Sequence, residues 1–194
     1  MEWKKFFYSF VVLLVYSLII TDFLSNSSLA ILSSVILGIL FFILLGIKKF
    51  AFINRQALFN LLSGALFFLV SVAFFAADKS NGFNFFIYYI GTFLVTGLLM
   101  KESLDFFAGN FPKKKKSLIV MGTSLLIMEA AAITAFLPIG FLNSAALIVL
   151  ITFILEDLIF YHIKGNLSRQ VVLNNITILI IAFIFIFATS KWTL

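Results

Sequence analysis

The chain reads as an all-α polytopic membrane protein with seven transmembrane helices. Three observations predict that class. Apolar residues fill 63% of the 194 positions and charged residues only 11%, whereas a soluble domain runs at about half and about a quarter. Seven stretches are apolar over the length of about 20 residues that a helix needs to cross roughly 30 Å of hydrocarbon. The basic residues, finally, gather at alternate junctions between those stretches. With 10 Gly, 2 Pro and no Cys, collagen-like and disulfide-framework classes fall away.

The first stretch, residues 6–24, follows Lys4 and Lys5 in the order of a signal peptide. No small-residue cleavage site follows and a second apolar run opens within a few residues, so a retained helix is expected. The others cover 29–47, 57–77, 83–100, 117–137, 143–162 and 171–190. None alternates with the period of two that marks a membrane barrel strand. A helix satisfies its own backbone in lipid, so helices are the expected elements.

Charge sets the expected orientation. Lys4, Lys5, Lys48, Lys49, Arg55, Lys101, Lys113 to Lys116, Lys164 and Arg169 fall on one side, and Lys79 and Lys191 on the other. Basic residues are retained in the cytoplasm. The N-terminus is therefore expected inside, the C-terminus outside, and the whole in a cell membrane as a multi-pass protein. The +6 net charge is explained as a topology signal, without nucleic acid as a partner. The longest loop, 101–116, ends in Lys113, Lys114, Lys115 and Lys116, which suit the anionic lipid of the inner leaflet at about 1 kcal/mol each. A stop signal fixing the direction of the fifth helix is the competing reading.

The chain has two arginines and two glutamines, and they occur as pairs: Arg55-Gln56 and Arg169-Gln170. The match continues to Asn60 and Asn174. Upstream, the segment from Phe23 to Leu32 aligns without a gap to the segment from Phe141 to Leu150. This predicts two parallel three-helix repeats, about 4–79 and 117–194, joined by a linker helix at 83–100 and the basic loop 101–116, a 3+1+3 arrangement in one transmembrane domain.

That arrangement resembles, at fold level, the 3+1+3 sugar and vitamin carriers of the SWEET and PnuC kind, and more loosely the seven-helix rhodopsins. The Pro-Gln signature of the SWEET family is absent here, its usual orientation is the reverse, and no lysine lies midway along the seventh helix to hold retinal. The string Leu155-Glu156-Asp157-Leu158-Ile159-Phe160-Tyr161 is similar to the paired-acid motif of CPBP intramembrane proteases, with Tyr161 in place of the arginine. It is also similar to the P-x-E-(E/D) motif of integral-membrane lycopene cyclases, with Ile154 in place of the proline. Each likeness spans about seven residues and implies that Glu156 and Asp157 are the acids.

An ionisable residue inside a span costs at least about 2.5–3.5 kcal/mol, so each is a site candidate. Glu129 lies 13 residues beyond Lys116, about 19 Å along a helix rising 1.5 Å per residue. Beside Ala130, Ala131 and Ala132 it is expected to meet a neighbouring helix closely, where a protonatable carboxyl suits a proton-coupled carrier. Glu156, Asp157, Tyr161, His162, Arg169, Gln170 and Asn174 are expected to cluster near the inner surface, with Arg169 reaching toward the acids. The cluster reads either as a substrate or ion gate or as a clasp between helices six and seven. Arg55, Gln56 and Asn60 are its counterparts in the first repeat.

His162 is the only histidine, and a zinc or iron site needs several converging ligands, so no metal and no cofactor are expected. No phosphate loop, Ser-His-Asp set or Cys-x-x-Cys pair occurs, which leaves enzymatic chemistry uncertain and carriage the stronger expectation. The leading reading is a small-solute or proton-coupled carrier, or a subunit of one, with a polar pathway between the repeats. The alternatives are a non-catalytic assembly subunit of a membrane complex, and a lipid- or isoprenoid-modifying enzyme using Glu156 and Asp157. Homo- or hetero-oligomers are compatible with each.

Overall fold

A computed structural model describes residues 6–23, 27–46, 55–76, 82–107 and 111–189. Within them the chain forms seven α-helices: α1 (Phe7–Phe23), α2 (Ser27–Gly46), α3 (Arg55–Ala76), α4 (Gly82–Phe107), α5 (Lys113–Thr134), α6 (Phe141–Ile163) and α7 (Arg169–Thr189). Ala57–Ala76 within α3, together with α5, α6 and α7, is long and apolar enough to cross a membrane. Each expected stretch meets one helix. Lys4, Lys5, Lys48, Lys49, Lys79 and Lys191 lie outside the described residues. The basic residues whose side chains are described, Lys101, Lys113 to Lys116, Lys164 and Arg169, fall at the α4–α5 and α6–α7 junctions, at one end of the bundle. We call this the basic end.

Two helices depart from the apolar boundaries. α4 runs on through Lys101, Glu102, Ser103 and Asp105 to Phe107, without a break at the first charge. Leu104 is fully buried, so the apolar face of α4 continues past that charge and holds the last turns in the bundle. α5 begins at Lys113 and stops at Thr134, ahead of Pro138. α6 is closed by Gly165 at a φ of 71°. The amide of Gly165 donates to the His162 carbonyl and that of Asn166 to the Tyr161 carbonyl, the paired bonds of a helix end that needs a left-handed residue.

Packing centres on α3, the most covered of the four long apolar helices. It lies against α6 most extensively, and also against α1, α2 and α4, while α4 lies closely along α5. One core cluster joins Val12, Leu13, Leu37, Leu40, Leu62, Leu66 and Leu99 from the first four helices. A second joins Phe74 and Phe75 of α3 to Ile127, Ala131, Ala145 and Ile148 of α5 and α6. Gly64 of α3 lies directly against Phe153 of α6, since a Cβ there would meet the Phe153 ring at 2.5 Å. α7 packs on α6 and is the least covered of the long apolar helices.

Candidate functional site

The last two turns of α4 meet the first turn of α1. The first amides of a helix have no partner inside it. Ser9 is the third residue of α1, and its amide donates to Glu102 Oε2 at 2.7 Å. The Ser9 hydroxyl and the Tyr8 amide lie beside the same carboxyl. A carboxylate from a distant helix thus caps α1, at the end where the helix dipole favours negative charge. Next to it, Lys101 Nζ donates to the Tyr8 hydroxyl at 3.1 Å and stands 5.1 Å from the Tyr8 ring centroid.

The following residue, Ser103, faces another way, because adjacent helical positions differ by about 100°. Its hydroxyl lies beside the carboxyl of Glu156 on α6. Glu102 and Glu156 are only 2% and 6% exposed. In each, Oε1 is buried without a hydrogen-bond partner among the described residues, and the same holds for the Ser63 hydroxyl on α3. Other buried hydroxyls return their protons to their own helix: Thr123 to the Ile119 carbonyl, Ser124 to Val120, Thr134 to Ala130 and Thr152 to Ile148. Buried polar groups are paired as a rule. The two acids and Ser63 therefore stand out.

One helical turn toward the basic end lies a layer of aromatic rings. Phe59 stacks on Phe106 with centroids 4.5 Å apart and planes at 13°. Phe6 lies 5.9 Å from Phe59, Phe107 lies 5.7 Å from it, and Phe160 lies 4.7 Å from Phe107. Phe59 precedes Ser63 by one turn, Phe106 and Phe107 follow Ser103 by one turn, and Phe160 follows Glu156 by one turn. Phe6 stands three residues before Ser9. Register along four helices thus sets a polar layer (Ser9, Ser63, Glu102, Ser103, Glu156) directly beneath an aromatic one.

The residues expected to cluster on α6 and α7 separate. Glu156 turns inward to Ser103. Asp157 turns toward α7, where it accepts from Asn175 Nδ2 at 2.9 Å, and the same amide nitrogen reaches the Val171 carbonyl at 3.2 Å. Asn175, which is buried, takes the place expected for Asn174, which is exposed along with Arg169 and Gln170. Tyr161, His162 and Asn60 are exposed too. The side chains of Arg55 and Gln56 lie outside the described residues.

Glu129 sits elsewhere. The buried residues of α5 are Lys116, Thr123, Ser124, Ile127, Ala131 and Thr134, and two positions from Ile127 or Ala131 is a rotation of about 200°. The alanine next but one does enter the core, and that same geometry puts Glu129 on the outer surface. It shares no face with Glu156. Lys116, in contrast, is drawn in by Asp105, Nζ to Oδ1 at 2.7 Å, while Lys113, Lys114 and Lys115 stay exposed. Among the described residues, no three His, Asp or Glu side chains converge as metal ligands.

Glu102 and Ser103 are the functional candidates that sequence reasoning passed over. The available signal was the apolar periodicity of Leu104 and Phe107 beyond Lys101. Comparison of the chain with protein-family models, with curated proteins and with solved structures finds no match.

Proposed function

We propose that the protein is a proton-coupled carrier of small solutes in a cell membrane. One observation carries this reading: two inward carboxyls with unused oxygens, in a polar layer closed off by an aromatic layer. Groups of that kind are costly to keep in an apolar bundle and mark ion or substrate pathways when they occur. Glu156 serves as the group that takes up and releases a proton, with Ser103 as its neutral neighbour and the unpaired Ser63 hydroxyl in the same layer. Phe59, Phe106, Phe107 and Phe160 act as the inner gate. Glu102 ties movement of α1 to the same layer. The Asp157–Asn175 bond works as a clasp holding α7 to α6.

In this reading the basic end faces the cytoplasm, the N-terminus is inside and the C-terminus outside. The two Arg-Gln-containing halves are parallel three-helix repeats around the linker helix α4. Four lysines in the first turn of α5 oppose that helix's dipole. Anionic headgroups at Lys113, Lys114 and Lys115 supply the missing negative charge.

The test is transport by the purified full-length chain in proteoliposomes, with an entrapped pH-sensitive dye and a panel of sugars, amino acids and vitamins. Glu156→Gln is expected to abolish proton-coupled uptake, and equal uptake by variant and wild type would refute the reading. A second reading, as an assembly subunit of a larger membrane complex, is favoured by the bare surface of α7. The reading as a paired-acid enzyme is weakened by the divergence of Glu156 and Asp157 toward different helices.

A further inference from the structure

We infer that α5 is the seam of a homodimer in the membrane, joined at Glu129. The outer face of α5 carries Leu118, Gly122, Leu125, Glu129, Ala132 and, just past the helix end, Phe136, at spacings of four and three in strict alternation. That is the heptad pattern of a left-handed helix pair. Five of the six are exposed, and Ala132 is half-buried at the edge of the stripe. A Cβ built on Gly122 meets nothing within 4 Å, so a second helix can approach the backbone there, as small residues allow in membrane helix pairs.

Glu129 decides the occupant. It is bordered along the stripe by Leu125, Leu126, Ile133 and Phe136, all well exposed, and lies far from the lysines at the start of α5. Hydrocarbon offers a carboxyl neither donor nor acceptor, so lipid alone does not satisfy it. The acid form of a carboxyl both donates and accepts, which makes it complementary to itself. A two-fold interface sets a residue near its axis against its own copy. The seam holds no lysine or arginine to pair with an acid on a different chain, and none is needed. Glu129 of one protomer bonds Glu129 of its partner, with Gly122 and Ala132 as the points of closest backbone approach.

The chain has no cysteine, so single cysteines report the contact directly. Full-length Leu125→Cys and Ala132→Cys proteins, reconstituted in bilayers at high lipid excess, are oxidised beside Ile181→Cys on the exposed face of α7. The expected result is a covalent dimer for the two α5 positions and monomer for the α7 control. Adding Glu129→Leu to Leu125→Cys should reduce the dimer about three- to tenfold, and Glu129→Gln should retain most of it because an amide is also self-complementary. Circular dichroism confirms that each variant is helical. Leu125→Cys yielding no more dimer than Ile181→Cys would overturn the proposal, as would Glu129→Leu without effect. Cross-linking in native membranes to a product heavier or lighter than a dimer of this chain would equally overturn it. The seam stands apart from the carrier reading: loss of transport in Glu156→Gln with normal dimers, or the reverse, separates the two.

Discussion

Glu102, near the end of α4, accepts a hydrogen bond from the backbone amide of Ser9 in the first turn of α1, 93 residues away in sequence, at 2.7 Å. With the contact of Lys101 on Tyr8, this bond joins α1 to α4 at the basic end. It also brings a buried acid to within one residue of Ser103, the group beside Glu156. The support of α1 and the proposed site are parts of one polar layer.

Removing the Glu102 carboxyl should therefore act on stability first. Glu102→Ala leaves the buried amide of Ser9 without its acceptor, a loss of about 1–3 kcal/mol. Glu102→Gln keeps an acceptor oxygen and should cost less. Thermal unfolding of the purified protein in detergent, followed by circular dichroism, ranks wild type above Gln and Gln above Ala. Equal stability of all three would mean that the cap does not hold α1.

The Asp157–Asn175 bond predicts a coupling between α6 and α7. Replacing either residue by Leu should weaken the attachment of α7, and the double variant should lose less than the sum of the two. A double-mutant cycle is expected to give about 0.6 kcal/mol and no more than about 1.7, the average and the maximum for hydrogen bonds between membrane helices. Additive losses would show that Asn175 serves α7 alone, through its bond to the Val171 carbonyl.

Gly64 predicts a steric result. A methyl at this position meets the tip of the Phe153 ring, and that ring is 38% exposed, so it can swing outward. Gly64→Ala should be nearly neutral, with better helix propensity offsetting the displacement. Gly64→Leu has no such escape and should cost about 1–3 kcal/mol by overpacking the α3–α6 contact. Phe153→Ala in the same chain should restore part of the loss. Unfolding midpoints of the single and double variants check it.

The four lysines of α5 should behave unequally. Lys116 is engaged by Asp105 and mostly buried, while the other three face outward. Gln substitution of Lys113, Lys114 and Lys115 together should reduce the copies of anionic phospholipid retained by the protein in native mass spectrometry. Lys116→Gln should leave that retention unchanged and lower stability instead. Similar loss of lipid from all four positions would contradict the division of roles.

The helices were legible in the sequence because apolar length is a strong constraint in lipid. Their ends were less so, since a charge was read as a boundary. At Lys101 the helix instead continues, its charge turned to Tyr8 and its next two residues turned inward. The acids of α6 were legible as candidates, but not the division between them, which depends on which helix lies on each side of α6. For Glu129 the alanines beside it signalled packing within the bundle correctly for Ala131 but not for the carboxyl, which faces out of the chain because neighbours in a helix face different ways. Asn175 was hidden behind Asn174 by the match to Asn60, an alignment that equates positions without equating their surroundings.

Proton flux in proteoliposomes tests the proposed site most directly. With an imposed pH gradient and the solute panel outside, wild-type protein is expected to change the entrapped dye signal for at least one solute. Glu156→Gln should reduce that signal at least about tenfold, the effect of 1.4 kcal/mol or more, while its helicity and unfolding midpoint stay close to wild type. Undiminished flux in Glu156→Gln, or no flux from either protein across the panel, would contradict the assignment of Glu156 as the proton-carrying group of a carrier.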